Sequence, residues 1–452
     1  MQHGTYYADI AILNPENDMW STIGMQNEPF PNTTRAPYKT MIWEAISQCG
    51  GGVDYVSENI LQQSMVKRGN LCFNQRKYNT LMLIDVERMH PETAQQLLQF
   101  VKTGGKLLCI GTIPYQSLGL SGDCLAKDSV VRSCFEQLQA FDDRFVFVEP
   151  PKEGFISWYD SLMRAEQLPH YLDIETPSPF MMQNRYTTDD GSEMLFIINS
   201  HRYQSHQTKI TFHKALTHRR HPWAWDLQTG ERYPLILNED GSYDIDLGPA
   251  ESMLIVFDRT SVSVQGNPSG MQGTPKGTSA TNRRELRSAV GASCYARDHT
   301  ASVDLSTDWD VELIHARLDT ILHTHFDTLF DLKDHPETQH FAGTIVYRKT
   351  IPMDTLNPCV LDLGLVEGIS EVFVNGQSAG VKYYGRRQYD ISNLLREGEN
   401  NLEIRVTTTL GNYLKTLTKE ENPTTWIYVN HPKRDQPLQP TGLIGPVKLA
   451  IQ

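Results

Sequence analysis

The stretch from residue 341 to residue 406 constrains the fold of this chain more than any other part of its sequence. Apolar and polar side chains alternate from Val346 to Ile351 and again from Leu402 to Val406, which predicts antiparallel strands with two unlike faces. Between them, Val372–Val374 runs directly into Asn375-Gly376. This dipeptide is the strongest short hairpin signal, because a type I′ turn needs positive φ at both central residues. Evenly spaced strands with turn residues between them predict a β-sandwich or jelly roll.

Short motifs in a fixed order carry a family resemblance. They are LDLG at 361–364, EVFVNG at 371–376, a Tyr-Asp-Ile strand at 389–391 and GENNLEIRV at 398–406. This order is similar to the sugar-binding jelly roll of glycoside hydrolase family 2 and its relatives. The closing segments TTTLGNYL at 407–414 and TGLIGPVKL at 441–449 resemble the C-terminal, post-barrel region of the α-L-rhamnosidases of glycoside hydrolase family 106. The resemblance implies a galactose-binding-like jelly roll, a context of polysaccharide degradation and an extracytoplasmic location.

The first 150 residues predict an α/β domain. Short apolar strands alternate with segments of helical periodicity, as expected of a parallel sheet that is covered by helices on both faces. We interpret residues 1–150 as a flavodoxin-like domain. It is similar to the class I amidotransferase-like domain that follows the catalytic barrel in several β-galactosidase and rhamnosidase families. The strands are predicted at Ala8–Leu13, Val53–Val56, Tyr78–Asp85, Lys106–Ile110 and Phe145–Val148, and the helices at Tyr38–Cys49, Asn59–Lys67, Pro91–Thr103 and Asp128–Ala140.

Three further segments complete the predicted organisation. Residues 151–260 contain short strands separated by turns such as Asp189-Asp190-Gly191, and they predict a small antiparallel β-sandwich. Residues 261–282 are rich in Gly, Ser, Pro, Thr and Gln. That composition buries too little surface to offset the ordering entropy, so it predicts a flexible linker. The jelly roll then occupies residues 283–452.

The composition of the 452 residues argues against several classes of protein. The formal net charge of −13 disfavours nucleic acid and anionic membranes as partners, because both need clustered Lys and Arg. No stretch approaches the roughly 18 uncharged apolar residues that span a bilayer. Met1–Gly4 does not begin a signal peptide, and we expect the chain to be a piece of a longer enzyme or a relative without the barrel. Seven cysteines without a C-x-x-C spacing predict buried thiols, not a disulfide scaffold.

The sequence offers no constellation of catalytic residues. The α/β domain lacks the glycine-rich and nucleophile-elbow motifs of nucleotide-binding and hydrolytic enzymes, and Cys109 lies inside a predicted strand, not at a turn. Two carboxylate pairs, Glu16 with Asp18 and Asp54 with Glu58, follow strand ends, where helix caps also place acids. By the resemblance, the catalytic carboxylates belong to a (β/α)₈ barrel of roughly 250 residues, which this chain does not contain. We therefore assign no catalytic residue, no cofactor and no metal.

Aromatic and polar residues in two long loops of the jelly roll form the candidate carbohydrate-binding site. Sugars stack their C–H faces on Tyr and Trp, while Arg and Asn bind the hydroxyls. The interpretation we favour is that Trp309, Trp426 and Tyr428 pack in the core or between domains, because jelly rolls appended to glycosidases often serve only as structural braces. The candidate residues are Tyr383, Tyr384, Arg386, Asn412, Trp426 and Tyr428.

Histidines in the segment Ile321–Asp327 leave a metal hypothesis open. If the segment is a strand, His323, His325 and Asp327 share one face and could act as ligands; if it is a helix, that face is broken. Histidines at the surface or between domains are the preferred interpretation, because a ligand set needs tertiary geometry.

These observations lead to one main hypothesis and two alternatives. The main hypothesis is a non-catalytic accessory region of an α-L-rhamnosidase-like glycoside hydrolase, whose jelly roll binds carbohydrate such as a rhamnose-containing glycan. The alternatives are an autonomous carbohydrate-binding protein and a small amide or ester hydrolase housed in the α/β domain.

Overall fold

The computed structural model describes residues 4–20, 38–119, 122–227, 230–259, 301–318, 320–354, 356–417 and 436–451. Over these residues the chain is multidomain and mostly β, with several sheets. No helix in this described part has the length and apolar character needed to cross a membrane. The predicted linker at 261–282 lies outside it. Two compact units are present: unit 1 is Met1–Ser200, His206–Asp246 and Ser252–Leu286, and unit 2 is His201–Ser205, Leu247–Glu251 and Arg287–Gln452.

Unit 1 contains a five-stranded parallel sheet with helices on both faces. Its strands are β2 (Ile10–Leu13), β3 (Val53–Val56), β7 (Thr80–Ile84), β8 (Lys106–Ile110) and β9 (Phe145–Val148). Its helices are α1 (Glu16–Trp20), α2 (Lys39–Gln48), α3 (Glu58–Gln63), α4 (Pro91–Lys102), α5 (Cys124–Leu138) and α6 (Phe155–Ala165). The strand order is β3-β2-β7-β8-β9, and every pairing is parallel.

Alternation along the parallel strands divides their side chains between two cores. Ala11 and Leu83 pack into one core with α4 and α5, whereas Ile12 and Met82 pack into the other with α2 and α6. Because both faces are covered, β2 and β7 are buried at every residue. This explains why their sequences are continuously apolar.

The predicted helix Asn59–Lys67 is shorter in the structure. The Ser57 hydroxyl caps α3 by accepting a hydrogen bond from the Ile60 amide at 3.4 Å, and the helix ends at Gln63. The chain then turns at Arg68, which has a φ of 48°, so the apolar residues after Gln63 belong to a hairpin and not to a helix. A three-stranded antiparallel meander follows: β4 (Met65–Lys67), β5 (Asn70–Phe73) and β6 (Arg76–Tyr78).

Unit 1 also contains two antiparallel sheets. One has the six strands β1 (Gly4–Tyr6), β11 (Met181–Thr188), β12 (Glu193–Asn199), β17 (Ser252–Asp258), β14 (His221–Trp225) and β15 (Arg232–Pro234), in that order. The other has the order β10 (Leu172–Ile174), β13 (His206–Phe212) and β16 (Ser242–Leu247), and the short helix α7 (Lys214–Thr217) follows β13. Buried and half-buried residues alternate along β12 at every position, as expected of a strand with one face inward.

Unit 2 consists of packed antiparallel sheets. One sheet has the order β20 (Ile321–Thr328), β19 (Thr307–His315), β21 (Gly343–Met353), β27 (Gly398–Thr407), β24 (Ile369–Val374) and β25 (Gln377–Lys382). Another has the order β18 (Ala301–Asp304), β29 (Lys448–Ile451), β22 (Cys359–Asp362) and β26 (Gln388–Asp390), and a third pairs β23 (Leu365–Glu367) with β28 (Gly442–Gly445). The remaining elements are 3₁₀ turns at Leu332–Asp334 and Ser392–Leu394 and the helix α8 (Gly411–Leu414).

Two local predictions in unit 2 are confirmed. Asn375 and Gly376 connect β24 to β25 with φ values of 51° and 81°, as a type I′ turn requires. Ile321–Thr328 is a strand, which decides the alternative that the sequence left open. Trp309 is fully buried, with its ring centroid 6.3 Å from that of Tyr347, so it is a core residue.

Candidate functional site

The predicted carbohydrate-binding residues lie partly in the loop between β25 and β26. Tyr383 is 62% exposed, and its ring centroid is 4.8 Å from that of Tyr384. Arg386 Nη1 lies 3.5 Å from Glu251 Oε2, another residue of unit 2. The loop therefore presents one exposed ring, of the kind on which sugars stack, whereas the Arg386 side chain is only 13% exposed and is paired with Glu251.

Asn412 stands apart from this loop and is 3% exposed. Its side-chain Nδ2 donates to the Gln439 carbonyl at 2.8 Å and to Thr441 Oγ1 at 3.1 Å, and its Oδ1 accepts from the Gln439 amide at 2.9 Å. Protein groups therefore occupy both ends of the amide, and Asn412 joins α8 to the segment before β28. Trp426 and Tyr428 lie outside the described residues.

Two of the four carboxylates named from the sequence, those of Glu58 and Asp18, accept hydrogen bonds from neighbouring elements. Glu58 accepts hydrogen bonds from Asn17 Nδ2 at 2.6 Å, the His90 amide at 2.9 Å and Thr93 Oγ1 at 2.6 Å. Asp18 is fully buried, and its carboxylate accepts hydrogen bonds from two backbone amides just before α4. Glu16, with which the sequence paired it, is exposed. These hydrogen bonds hold Glu58 and Asp18 to the backbone and side chains around the start of α4.

Asp54, in contrast, lines a cleft of about 650 Å³ in unit 1. Its Oδ2 accepts a hydrogen bond from the Tyr78 hydroxyl at 3.0 Å and lies 3.6 Å from Arg76 Nε. The rings of Tyr6 and Tyr186 form another wall, with centroids 5.6 Å apart. Burial, followed by the Asp54 charge, raises the pKa of Tyr78, which therefore stays a hydrogen-bond donor. No sequence pattern predicts this cleft, because its walls include residues of β1, β3, β6 and β11, which are far apart in the chain.

A second cluster that sequence reasoning missed joins two histidines to one aspartate. His170 Nε2 lies 3.2 Å from Asp173 Oδ1, and His213 Nε2 lies 2.9 Å from Asp173 Oδ2. The two imidazole centroids are 4.5 Å apart, and one ligand atom from each residue lies within 4.8 Å of the others. Burial raises the pKa of Asp173, but the hydrogen bonds and charges of the two histidines outweigh it, and the pKa is lowered.

The alternative in which His323, His325 and Asp327 act together as metal ligands is not among the ligand-like clusters of the described residues. His325 Nδ1 lies 3.1 Å from Asp310 Oδ1, and its Nε2 lies 3.4 Å from Asp308 and 3.7 Å from Asp327. His323 pairs instead with Glu312 across the strands. Hydrogen bonding to Asp310 raises the pKa of His325, whose side chain is 44% exposed. Among the described residues, the cluster with ligand-like spacing is the one around Asp173, not this one.

The cysteines of the parallel sheet are not arranged as nucleophiles. Cys109 is fully buried within β8, and burial raises the pKa of its thiol. Cys49 is also buried, and burial raises its pKa to about 12. A thiol that holds its proton at neutral pH is a poor nucleophile, so neither side chain has the chemistry of an amidase or esterase.

Known proteins resemble this chain mainly in fold. The chain matches no family model. A protein of Formosa agariphila with the provisional name beta-glucuronidase is 28% identical over 179 residues, and the match covers 32% of this chain and 15% of that protein. A rhamnosidase structure from Novosphingobium sp. PP1Y matches with a TM-score of 0.59 and 19% identity, covering 99% of this chain and 39% of the rhamnosidase. A beta-D-glucuronidase structure from Dictyoglomus thermophilum matches with a TM-score of 0.24 and 21% identity, over 34% of this chain and 29% of that one.

Two statements follow from these matches. The expected likeness to glycoside hydrolases holds at the level of the fold, since 99% of the chain aligns with part of a rhamnosidase structure. The chain spans 39% or less of the proteins described above. Assignment to the C-terminal region of family 106 stays a prediction.

Proposed function

We propose that this chain is a non-catalytic accessory region of a glycoside hydrolase that takes part in polysaccharide breakdown. The observation that carries the proposal is the match of 99% of the chain, at a TM-score of 0.59, to 39% of a rhamnosidase. The match does not extend over the remainder of the rhamnosidase. In this proposal the carboxylates that cleave the glycosidic bond lie outside residues 1–452. The proposed domains are a flavodoxin-like domain at 1–150, a β-sandwich at 151–260 and a jelly roll at 283–452, with a linker at 261–282.

The contacts of the acidic residues support a non-catalytic role. Hydrolysis of a glycosidic bond needs two carboxyl groups that face each other across a sugar, roughly 5–10 Å apart. Glu58 and Asp18 each serve as acceptors for neighbouring elements. Asp54 lines a cleft, but its closest side-chain partners there are a tyrosine and an arginine, not a second acid.

Carbohydrate binding by unit 2 is the second part of the proposal. Tyr383 supplies an exposed ring, Tyr384 stands beside it, and Arg386 brings hydrogen-bond donors to the same loop. The ligand we propose is a glycan, with rhamnose-containing oligosaccharides as the first candidates because the aligned structure is a rhamnosidase.

Isothermal titration of the chain with rhamnose-containing oligosaccharides tests the binding part. Tyr383→Ala removes an exposed ring without disturbing the core, and we expect it to weaken binding about fivefold, or about 1 kcal/mol of stacking. Tyr115→Ala, which removes a 42% exposed ring in unit 1, is the matched control and should bind as the unmodified chain does. Unchanged binding in Tyr383→Ala, with loss in Asp54→Asn, would place the glycan in the unit 1 cleft and overturn the assignment to unit 2.

Hydrolysis assays on aryl α-L-rhamnosides and aryl β-D-glucuronides test the non-catalytic part. The chain alone should release no aglycone above the buffer background, at pH values where glycosidases work. Reproducible turnover that scales with the concentration of the chain would refute this part of the proposal.

A further inference from the structure

The cluster of His170, Asp173 and His213 lies where two parts of unit 1 meet. His170 stands between α6 and β10, and Asp173 is the middle residue of β10. His213 comes directly after β13, whose last residue, Phe212, is paired with Leu172. Antiparallel pairing of β10 with β13 therefore brings together side chains that are 40 residues apart in the chain.

The donor atoms match the requirements of a transition-metal ion. Imidazole nitrogen and carboxylate oxygen are preferred ligands of zinc. A tetrahedral zinc ion with bonds of about 2.1 Å keeps its ligand atoms about 3.4 Å apart. The distances of 3.2 Å from His170 Nε2 to Asp173 Oδ1 and of 2.9 Å from His213 Nε2 to Asp173 Oδ2 are close to that spacing. One ligand atom from each residue lies within 4.8 Å of the others, so no pair has to contract by more than about 1.4 Å around an ion. The side chains of His170, Asp173 and His213 are 23%, 44% and 33% exposed, so an ion can enter and keep water as a further ligand.

Hydrogen bonding orients His170 for this role. Its Nδ1 lies 3.0 Å from the Leu168 carbonyl oxygen, which can only accept, so Nδ1 carries a proton. In a neutral imidazole the remaining nitrogen, Nε2, then presents a lone pair, and it presents that lone pair towards the Asp173 carboxylate. A cation between the two groups satisfies both. A backbone carbonyl that holds the outer nitrogen of a histidine is the usual arrangement behind a metal ligand.

We propose that His170, Asp173 and His213 bind a divalent transition-metal ion, zinc in the first instance, with at least one position open to solvent. The ion ties the connection between α6 and β10 to the end of β13 and the start of α7. Its function is to stabilise this junction of unit 1. The proposal does not depend on the carbohydrate-binding role of the chain.

The test is a titration of the untagged, EDTA-treated full chain with ZnCl₂, followed by calorimetry and by thermal unfolding. We expect one saturable zinc per chain and a rise in Tm on binding, since an ion that binds only the folded state stabilises it. Asp173→Asn and His170→Gln keep the size of each side chain, and each should weaken zinc binding at least about tenfold and abolish the rise in Tm. CaCl₂ should not compete, because Ca²⁺ prefers six to eight oxygen ligands.

His325→Ala is the matched control, because His325 is also surrounded by carboxylates, those of Asp308, Asp310 and Asp327, but belongs to unit 2. It should bind zinc as the unmodified chain does. Co²⁺ in place of zinc should give the visible bands of a tetrahedral nitrogen and oxygen site without thiolate charge transfer, which separates this site from the cysteines. The absence of saturable binding, equal affinity in Asp173→Asn, or loss of binding in His325→Ala would each overturn the proposal.

Discussion

Replacing Glu193 with glutamine should destabilise unit 1 by about 3 kcal/mol. Arg185 Nε lies 2.9 Å from Glu193 Oε2, and each of the two side chains is only 5% exposed. Glu193 Oε1 also lies 3.6 Å from Arg220 Nη2, whose side chain is 15% exposed. Loss of the Glu193 charge therefore leaves Arg185, and in part Arg220, uncompensated, and breaking a buried pair costs about 3–5 kcal/mol. Glutamine keeps one acceptor oxygen, and the guanidinium keeps its place 3.7 Å from the Tyr7 ring centroid, a contact of about 0.5–2 kcal/mol. These remaining contacts put the expected cost at the lower end of the range.

Hydrogen exchange measured by mass spectrometry is the appropriate assay, because it reports on β11 and β12 separately from unit 2. A loss of about 3 kcal/mol corresponds to roughly 150-fold faster exchange of amides that open with the sheet. Asp160→Asn is the matched control in the same unit. It breaks a helix-surface pair with Arg164 whose side chains are 32% and 61% exposed, so about 0.5 kcal/mol or less is expected.

A double variant separates charge from packing. Arg185→Met combined with Glu193→Leu removes the closest pair of charges, and apolar replacement of a buried pair is often neutral or stabilising. Arg220 stays charged, but it is 15% exposed and still donates to the Gly191 and Ala215 carbonyls, so the double variant should recover part of the stability lost in Glu193→Gln. Exchange in Glu193→Gln as slow as in Asp160→Asn would refute the reasoning. So would a double variant less stable than Glu193→Gln alone.

Three further predictions follow from local features. Cys109 should resist thiol reagents in the native chain while the partly exposed Cys124 reacts; labelling of Cys109 without unfolding would favour an enzyme in the α/β domain. Gly50→Ala should lower the Tm of unit 1 by the equivalent of about 2 kcal/mol or more. The φ of Gly50 is 86°, and a Cβ there would overlap the carbonyl oxygen of Leu172 at the start of β10. Gly122→Ala is the control and should have little effect, because no atom lies within 4 Å of a Cβ at that position. Burial raises the pKa of Glu403, but hydrogen bonds from two arginines outweigh burial, so the pKa in the folded chain is lowered. The ionised carboxylate therefore stabilises the fold at pH values above its unfolded-state pKa of about 4.3, and this stabilisation is lost as the pH falls through the folded-state pKa. When the free energy of unfolding is measured at decreasing pH, it should fall less in Glu403→Gln than in the unmodified chain, and the difference should be less than about 1 kcal/mol.

Local sequence patterns were sufficient to predict a turn, a helix start or a buried strand wherever one short segment contains the whole signal. Asn375-Gly376 identifies its own turn, because only the residues of the turn decide whether positive φ is tolerated. Pro91 marks the start of α4 for a similar reason, since its missing amide proton costs nothing in the first turn. Continuous apolar runs such as Thr80–Ile84 indicated strands covered on both faces.

The same reasoning failed where the partner of a segment lies far away along the chain. Residues after Gln63 have apolar character that fits a helix or a hairpin, and the structure chooses the hairpin β4-β5. The pairing of β1 with β11 joins residues at least 180 positions apart, as in the register of Tyr6 with Tyr186, and no local pattern reports it. The Asp54 cleft depends on that pairing, because Tyr186 forms part of its wall.

By itself, the sequence determined the alternation of strands and helices, the main turns, the acidic balance of charge and the absence of recognisable catalytic motifs. These properties depend on the periodicity and chemistry of neighbouring residues. Only the tertiary structure decided which side chains meet. His170 and His213 became partners of Asp173 because β10 pairs with β13, and Arg185 became a buried ion because β11 pairs with β12. A binding site is a set of distances between segments, and such distances exist only after the sheets have formed.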